Sequence, residues 1–244
     1  MTSIRRTHAR AVATLSLDSP ANRNALSAAL VGELADALTD AAKDSAVRAI
    51  VLTHTGNTFC AGADLRDPPP ADALTGLLRQ IVELPKPVVA RVTGHVRAGG
   101  LGLLGACDIA AASTEADFAF TEVRIGVAPA MISLPLLPRT DPRALARYYL
   151  TGERFDAAEA ARIGLLTLAG DNVDAVLEPV LDGLRRSAPQ ALAETKALLT
   201  AKVLESFARD AEALAGLSAR LFASADARAG MTAFLERRDP PWVV

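Results

Sequence analysis

The chain has 244 residues, half of them hydrophobic and 22% charged, which supports one large domain, or one domain with an appendage, and excludes extended disorder. A net charge of −2 provides no whole-chain attraction for nucleic acid or an anionic membrane. No uncharged apolar run of about 18 residues is present, so no membrane span is expected.

The N-terminal stretch MTSIRRTHARAVATLSL has neither a long apolar run nor a small-residue cleavage site. Its alternation predicts a strand over residues 11–17. SPANRNALS reads as a turn, and Ser27 then caps a helix to about residue 42, with Leu30, Leu34, Ala37, Leu38 and Ala41 at helical spacing. AIVLT at 49–53 is a short buried strand, followed by HTGNTFCAGADLRDPPP, a loop rich in glycine and proline. A helix over 72–83 and a strand over 86–92 lead into TGHVRAGGLGLLGACD, where 101–106 reads as an apolar helix. Strands are expected at 108–112 and 117–120, a loop at 123–131, and helices at 143–151 and 156–163. Helical patterns then dominate, over 173–187, 189–223 and 225–236. Strand–helix alternation predicts a layered α/β body. The change in character near 170–190 predicts a core over 1–180 and a helical region over 181–244, with RRDPPWVV as an exposed end without a role.

Cys60 and Cys107 lie in Gly/Ala-rich contexts without paired spacing, which reads as small buried thiols rather than a metal site or disulfide framework. His8 and His54 lack acidic or cysteine companions at ligand spacing, so no metal is expected. The glycine-rich segment is neither a P-loop, since no Lys-Ser/Thr follows, nor a dinucleotide fingerprint, since no acidic residue follows at the required distance. Gly99-Gly100 before an apolar helix suits close packing. It equally suits free N–H groups aimed at an anionic oxygen, with the helix dipole behind them. FCAGADL at 59–65 is a second loop of this kind. Two N–H groups converging on one carbonyl oxygen would form an oxyanion hole, worth roughly 3–4 kcal/mol per donor, suited to a thioester that becomes enolate-like.

AIVLT…FCAGADL, KPVVARVTGHVRAGG, ACDIAAASTEADFAFTEVRIGVAP and YYLTGERFDAAEAARIGL, in that order, resemble the enoyl-CoA hydratase/isomerase (crotonase) family over most of the chain. The resemblance implies a spiral of ββα units with a C-terminal helical trimerisation region. It implies an acyl-CoA thioester substrate, no cofactor beyond the CoA of that substrate, and a homotrimer or dimer of trimers; the cytoplasm is the location expected from the lack of a leader-like or membrane-spanning run. It places the oxyanion-hole amides at Ala63 and Gly99. The CoA site falls at 22–26 (NRNAL) and 61–65, with Arg23, Ala25, Ala61, Asp64 and Leu65 in contact.

The family's two-glutamate hydratases carry one acid where this chain has Gly102 and the other at Glu122. Glu122 is therefore the expected general acid/base, its pKa raised by neighbours such as Phe118, Phe120, Val123 and Ile125. Gly102 is expected to enlarge the pocket. GGLGL at 99–103 and EVRIGVAPAMIS at 122–133, with Pro129 in the pocket, resemble bacterial hydratases of branched glutaconyl-CoA thioesters in leucine and acyclic-terpene breakdown. For such a substrate Arg97 would either grip the distal carboxylate or serve structure. His95 is read as packed or surface-exposed, and Tyr148 and Tyr149 as core or interface residues. Three activities fit: hydration of a 2-enoyl-CoA such as 3-methylglutaconyl-CoA, double-bond isomerisation by one glutamate, and acyl-CoA binding without catalysis.

Overall fold

The computed structural model describes residues 3–244. The N-terminal alternation forms a hairpin of β1 (Ile4–Ala9) and β2 (Val12–Leu17). Its two-residue loop places Arg10 and Ala11 at φ 47° and 60°, the geometry of a primed turn without the usual Asn-Gly signal. Ser27 caps α1 (Ala28–Lys43) by accepting a hydrogen bond from the Leu30 amide, and the predicted apolar stripe is its buried face.

Next come β3 (Ala49–His54), β4 (Thr58–Cys60), α2 (Ala71–Glu83), β5 (Val88–Val92), β6 (His95–Arg97), α3 (Gly99–Ala106), β7 (Ile109–Ala112) and β8 (Asp117–Ala119). In each successive pair, β3/β4, β5/β6 and β7/β8, the first strand joins a six-stranded sheet of order β1-β2-β3-β5-β7-β10, where β10 is Leu168–Ala169. The second joins a four-stranded sheet of order β4-β6-β8-β9, where β9 is Phe155–Asp156. From β2 to β10 the large sheet is parallel. This is the expected α/β spiral of ββα units, with the site loops carried in the second sheet and at its exits.

The parallel strands are buried on both sides, as such sheets require. Leu15, Leu17, Ile50, Leu52, Val88, Ala90 and Val92 face the main core with α1, α2 and α3. Val12, Val51, Val89 and Ala111 face the opposite way, where Val173 and Leu177 of α7 (Val173–Arg186) cover them. Short α4 (Ser133–Leu136), α5 (Pro142–Thr151) and α6 (Ala157–Arg162) complete the body. The C-terminal helical region is present as α8 (Pro189–Phe222) and α9 (Ala225–Leu235).

The α8 helix packs on α2 and α4 through Val203 and Phe207. A buried ion pair anchors it. Lys196 Nζ lies 2.8 Å from Asp108 Oδ2 and donates to the Ile81 carbonyl at 2.8 Å and the Lys86 carbonyl at 3.1 Å. Cys60 and Cys107 are buried free thiols, each pushed up to about 12 chiefly by burial, so neither is a nucleophile. His54 is buried, and its Nε2 accepts the Thr93 amide at 3.1 Å. Among the described residues no helix is long and apolar enough to cross a membrane.

Candidate active site

Two loops leave the second sheet side by side. At the end of β4, Leu26 and Ala63 form a parallel bridge. Gly62 accepts the Leu26 amide at 2.8 Å, and Leu26 accepts the Asp64 amide at 2.9 Å. The bridge uses the groups flanking Ala63 and leaves the Ala63 N–H on the other edge, without a protein acceptor among the described residues. At the end of β6, Ala98 takes φ 46° and ψ −120° as the N-cap of α3, a sparsely populated conformation for a residue with a side chain. Gly99 N–H follows at the start of the helix, also without an acceptor among the described residues. Gly62, at φ 93°, brings the loops together: a Cβ there would stand 2.8 Å from Ala98 Cβ and 3.5 Å from Gly99 N. The Ala63 and Gly99 amides thus open onto one cleft of about 460 Å³, a volume ordinary for a small-molecule site.

Glu122 lines the same cleft from a 3-10 turn, Glu122–Ile125, which follows β8. It is 8% exposed, and Oε2 has no hydrogen-bond partner among the described residues. Burial pushes its carboxyl up to about 7, offset only in part by its own amide. The apolar part of the cleft wall includes Ala119, Ile125, Val127, Pro129, Met131 and Ile132. Phe118 and Phe120 lie behind it in an aromatic cluster with Phe155 and Tyr149; the Phe120–Tyr149 centroids are 4.6 Å apart. Tyr149 is held with its hydroxyl 3.3 Å from Ser133 Oγ, and Tyr148 donates to Glu159 Oε1 at 2.6 Å.

Of the residues expected in the site, Arg23, Ala61, Ala63, Leu65, Arg97, Gly99, Glu122 and Pro129 line the cleft. Three expectations are corrected, and of the two readings of Arg97 the structural one is seen. Ala25 is buried beneath the loop and does not reach the cleft. Asp64 organises the loop instead, accepting from Asn22 Nδ2 at 3.3 Å and the Arg66 amide at 3.0 Å. Gly102 does not enlarge the pocket. A Cβ there would lie 2.5 Å from Ile132 Cγ2, so the Ile132 side chain already fills the space. Arg97 presents part of its chain to the cleft, but its guanidinium is committed. It donates to the Val96 carbonyl at 2.9 Å, the Asp117 carbonyl at 2.8 Å and Asp117 Oδ1 at 2.7 Å.

Asp117 also meets His95 Nδ1 at 2.5 Å and Arg154 Nη1 at 3.6 Å. Burial pushes the Asp117 carboxyl up, but the Arg97 hydrogen bond and charge outweigh it and hold the group below the ordinary aspartate value. Sequence reasoning missed Arg124 and Ile132, although both lie within the EVRIGVAPAMIS block. It also read the C-terminal helices as an oligomerisation region and gave RRDPPWVV no role, yet Phe222, Phe234, Arg238 and Pro240 line the cleft. Their separation in sequence from every motif left no local signal.

The geometry is that of a buried carboxyl without a side-chain partner among the described residues, sharing a cleft of apolar residues and arginines with two unpaired backbone N–H groups. A crystal structure of an enoyl-CoA hydratase from Mycobacterium avium is similar over 100% of both chains, with 54% identity and a TM-score of 0.93. A carnitinyl-CoA dehydratase from Proteus mirabilis is 31% identical over 93% of this chain and 92% of its own. The mevalonyl-coenzyme A hydratase of Aspergillus fumigatus is 31% identical over 93% and 90%. The family model for enoyl-CoA hydratase/isomerase matches residues 7–243, the cleft and its C-terminal wall included, and the chain belongs to that family.

Proposed function

We propose that the protein adds water across the double bond of a 2-enoyl-CoA thioester, with Glu122 as its single proton-transfer group. The observation that carries this reading is the buried Glu122 carboxyl, its Oε2 without a partner among the described residues, in the same cleft as the Ala63 and Gly99 amides. The thioester oxygen accepts both N–H groups, which draws electron density from Cβ. Glu122, ionised in part near neutral pH, takes a proton from water as the oxygen bonds to Cβ. The enolate that forms is held by the same two amides. Glu122 then returns the proton to Cα, so one molecule of water is added and the carboxylate is regenerated.

A second reading, double-bond isomerisation, is favoured by one feature. Ile132 fills the space at Gly102, so that wall has no second carboxyl, and one base suffices to move a proton between two carbons of an enolate.

Within the hydratase reading, we propose a branched dicarboxylic acyl group such as 3-methylglutaconyl-CoA. Arg124 supplies the cation in place of Arg97. It lines the cleft two residues after Glu122, is fixed through Nε on the Thr151 carbonyl at 3.2 Å, and has no carboxylate partner among the described residues. Its outer nitrogens remain free for bidentate contact. Hydration of 3-methylglutaconyl-CoA and crotonyl-CoA should be compared in the wild type and Arg124→Ala. The expected result is a loss of roughly 10- to 100-fold in kcat/KM for the dicarboxylic thioester alone. Equal loss on both substrates, or wild-type preference for crotonyl-CoA, contradicts the dicarboxylic assignment.

The exposed pair Leu198 and Leu199, 80% and 76% accessible on α8, supports self-association as a trimer or dimer of trimers. A monomer mass by light scattering would refute it.

A further inference from the structure

We propose that helix α9 is the positioning element for Glu122, seated on the catalytic turn through bare backbone at Gly126 and Gly230. The proposal rests on the reading of Glu122 as the proton-transfer group.

The carboxyl has no side-chain partner to orient it, so its place in the cleft is set by the backbone of its turn. That backbone is held by α9. A Cβ at Gly230 would come within 2.6 Å of the Ile125 carbonyl carbon and oxygen. Reciprocally, Gly126, at φ 79°, ends the turn where a Cβ would lie 2.6 Å from the Asp226 carbonyl carbon and 2.8 Å from the Ala227 amide. Neither contact leaves room for a side chain, and neither side can yield by rotating a rotamer. The face that α9 presents is small throughout, with Ala227, Gly230 and Ala233 buried. Ser224 starts the helix by accepting the Ala227 amide at 3.0 Å, at the contact with Gly126. On the other side the turn abuts the end of α5, where a Cβ at Gly152 would lie 2.8 Å from Arg124 Nε. The catalytic turn is therefore clamped between two elements. One of them, α9, also walls the cleft with Gly230 and Phe234.

Loosening α9 both displaces the carboxyl and admits water to it. The charged and titratable groups around the Glu122 cleft are Arg124 on its own turn, Tyr149 on α5, Arg23, Arg97 and Arg154 on the cleft wall, Asp226 in the first turn of α9 and Arg238 just beyond its end. None of these is altered by a change at Gly230.

The test compares Gly230→Ala, Ser224→Ala and Gly216→Ala, the last a helical glycine on α8 whose added Cβ meets nothing within 4 Å. Two quantities are read: kcat and KM on crotonyl-CoA, and the titration midpoint of the Glu122 carboxyl by infrared difference against Glu122→Gln. Gly230→Ala is expected to lower kcat roughly 10- to 100-fold with KM little changed, and to move the midpoint from about 7 towards the ordinary carboxylate range. Ser224→Ala, which frays α9 without adding bulk, moves both in the same direction by less. Gly216→Ala moves neither. A folded Gly230→Ala with wild-type kcat and midpoint overturns the proposal. Should Gly230→Ala fail to fold, Ser224→Ala decides it by the same readouts. Full activity in Glu122→Gln would instead overturn the reading beneath the proposal. An inactive Glu122→Gln beside an unchanged Gly230→Ala overturns only the role of α9.

Discussion

Glu122→Gln is expected to lower kcat for hydration of crotonyl-CoA by about 10²–10⁴-fold, because the proposed mechanism loses its one proton-transfer group while the substrate's other contacts remain. The same substitution should change stability in a pH-dependent way. The folded carboxyl titrates near 7, raised by burial from 4.5. Between those values the folded protein retains a proton that the unfolded chain has released, so this group's contribution to stability falls as pH rises through the window. Above pH 7 the full cost of a buried, ionised and unpaired carboxylate is present, about 3 kcal/mol. Below pH 4.5 it vanishes. Glutamine does not titrate. The Tm of the variant relative to wild type should therefore be higher at pH 8 than at pH 4, by roughly 6–12 °C for a chain of this size. Paired thermal melts at the two pH values measure it. A difference that does not change with pH would mean that Glu122 is solvated in the folded protein.

Lys196→Ala is expected to destabilise the protein by about 3–5 kcal/mol without touching the cleft. It strands Asp108 in the interior and removes the donor from the Ile81 and Lys86 carbonyls, which join α2 and the start of β5 to α8. The Lys196 side chain is only 4% exposed and that of Asp108 16%, so water cannot replace the lost partner cheaply. Burial pulls the lysine down and pushes the aspartate up, and each charge offsets part of that shift in its partner. Replacing both by apolar residues, as in Lys196→Met with Asp108→Leu, should recover much of the loss, since the penalty lies in the unpaired charge. Chemical denaturation at fixed protein concentration separates these outcomes. A single variant as stable as wild type would show that α8 is held by apolar packing alone.

The elements that were legible in the sequence owe their structure to local patterns. The apolar spacing of α1 with Ser27 at its cap, the buried run AIVLT, and the long stripe of α8 each carried their own signal. Strands β4 and β6 did not. Each spans three residues in a glycine-rich passage, and what makes them strands is pairing with one another and with β8. The Arg10-Ala11 turn was hidden because neither residue type advertises positive φ.

At the site, the two glycine-rich loops carried a local signal, but Glu122 and the Ala63 and Gly99 amides were singled out by the family resemblance, since glycines before an apolar helix suit close packing equally well. Gly102 was misleading for the converse reason. A glycine shows that a side chain is absent, but not what enters the space, and Ile132 arrives from 30 positions away. Arg97 was an available cation in the sequence; only the fold revealed that Asp117 consumes it.

The most direct test of the central claim is the fate of solvent oxygen. Crotonyl-CoA would be incubated with the purified protein in H₂¹⁸O, and in parallel in D₂O, and the products weighed by mass spectrometry. Water addition through Glu122 predicts 3-hydroxybutyryl-CoA carrying one ¹⁸O, and deuterium at Cα, neither above background with Glu122→Gln. Deuterium entering the acyl chain without ¹⁸O would contradict hydration and establish proton transfer between carbons as the chemistry of this cleft.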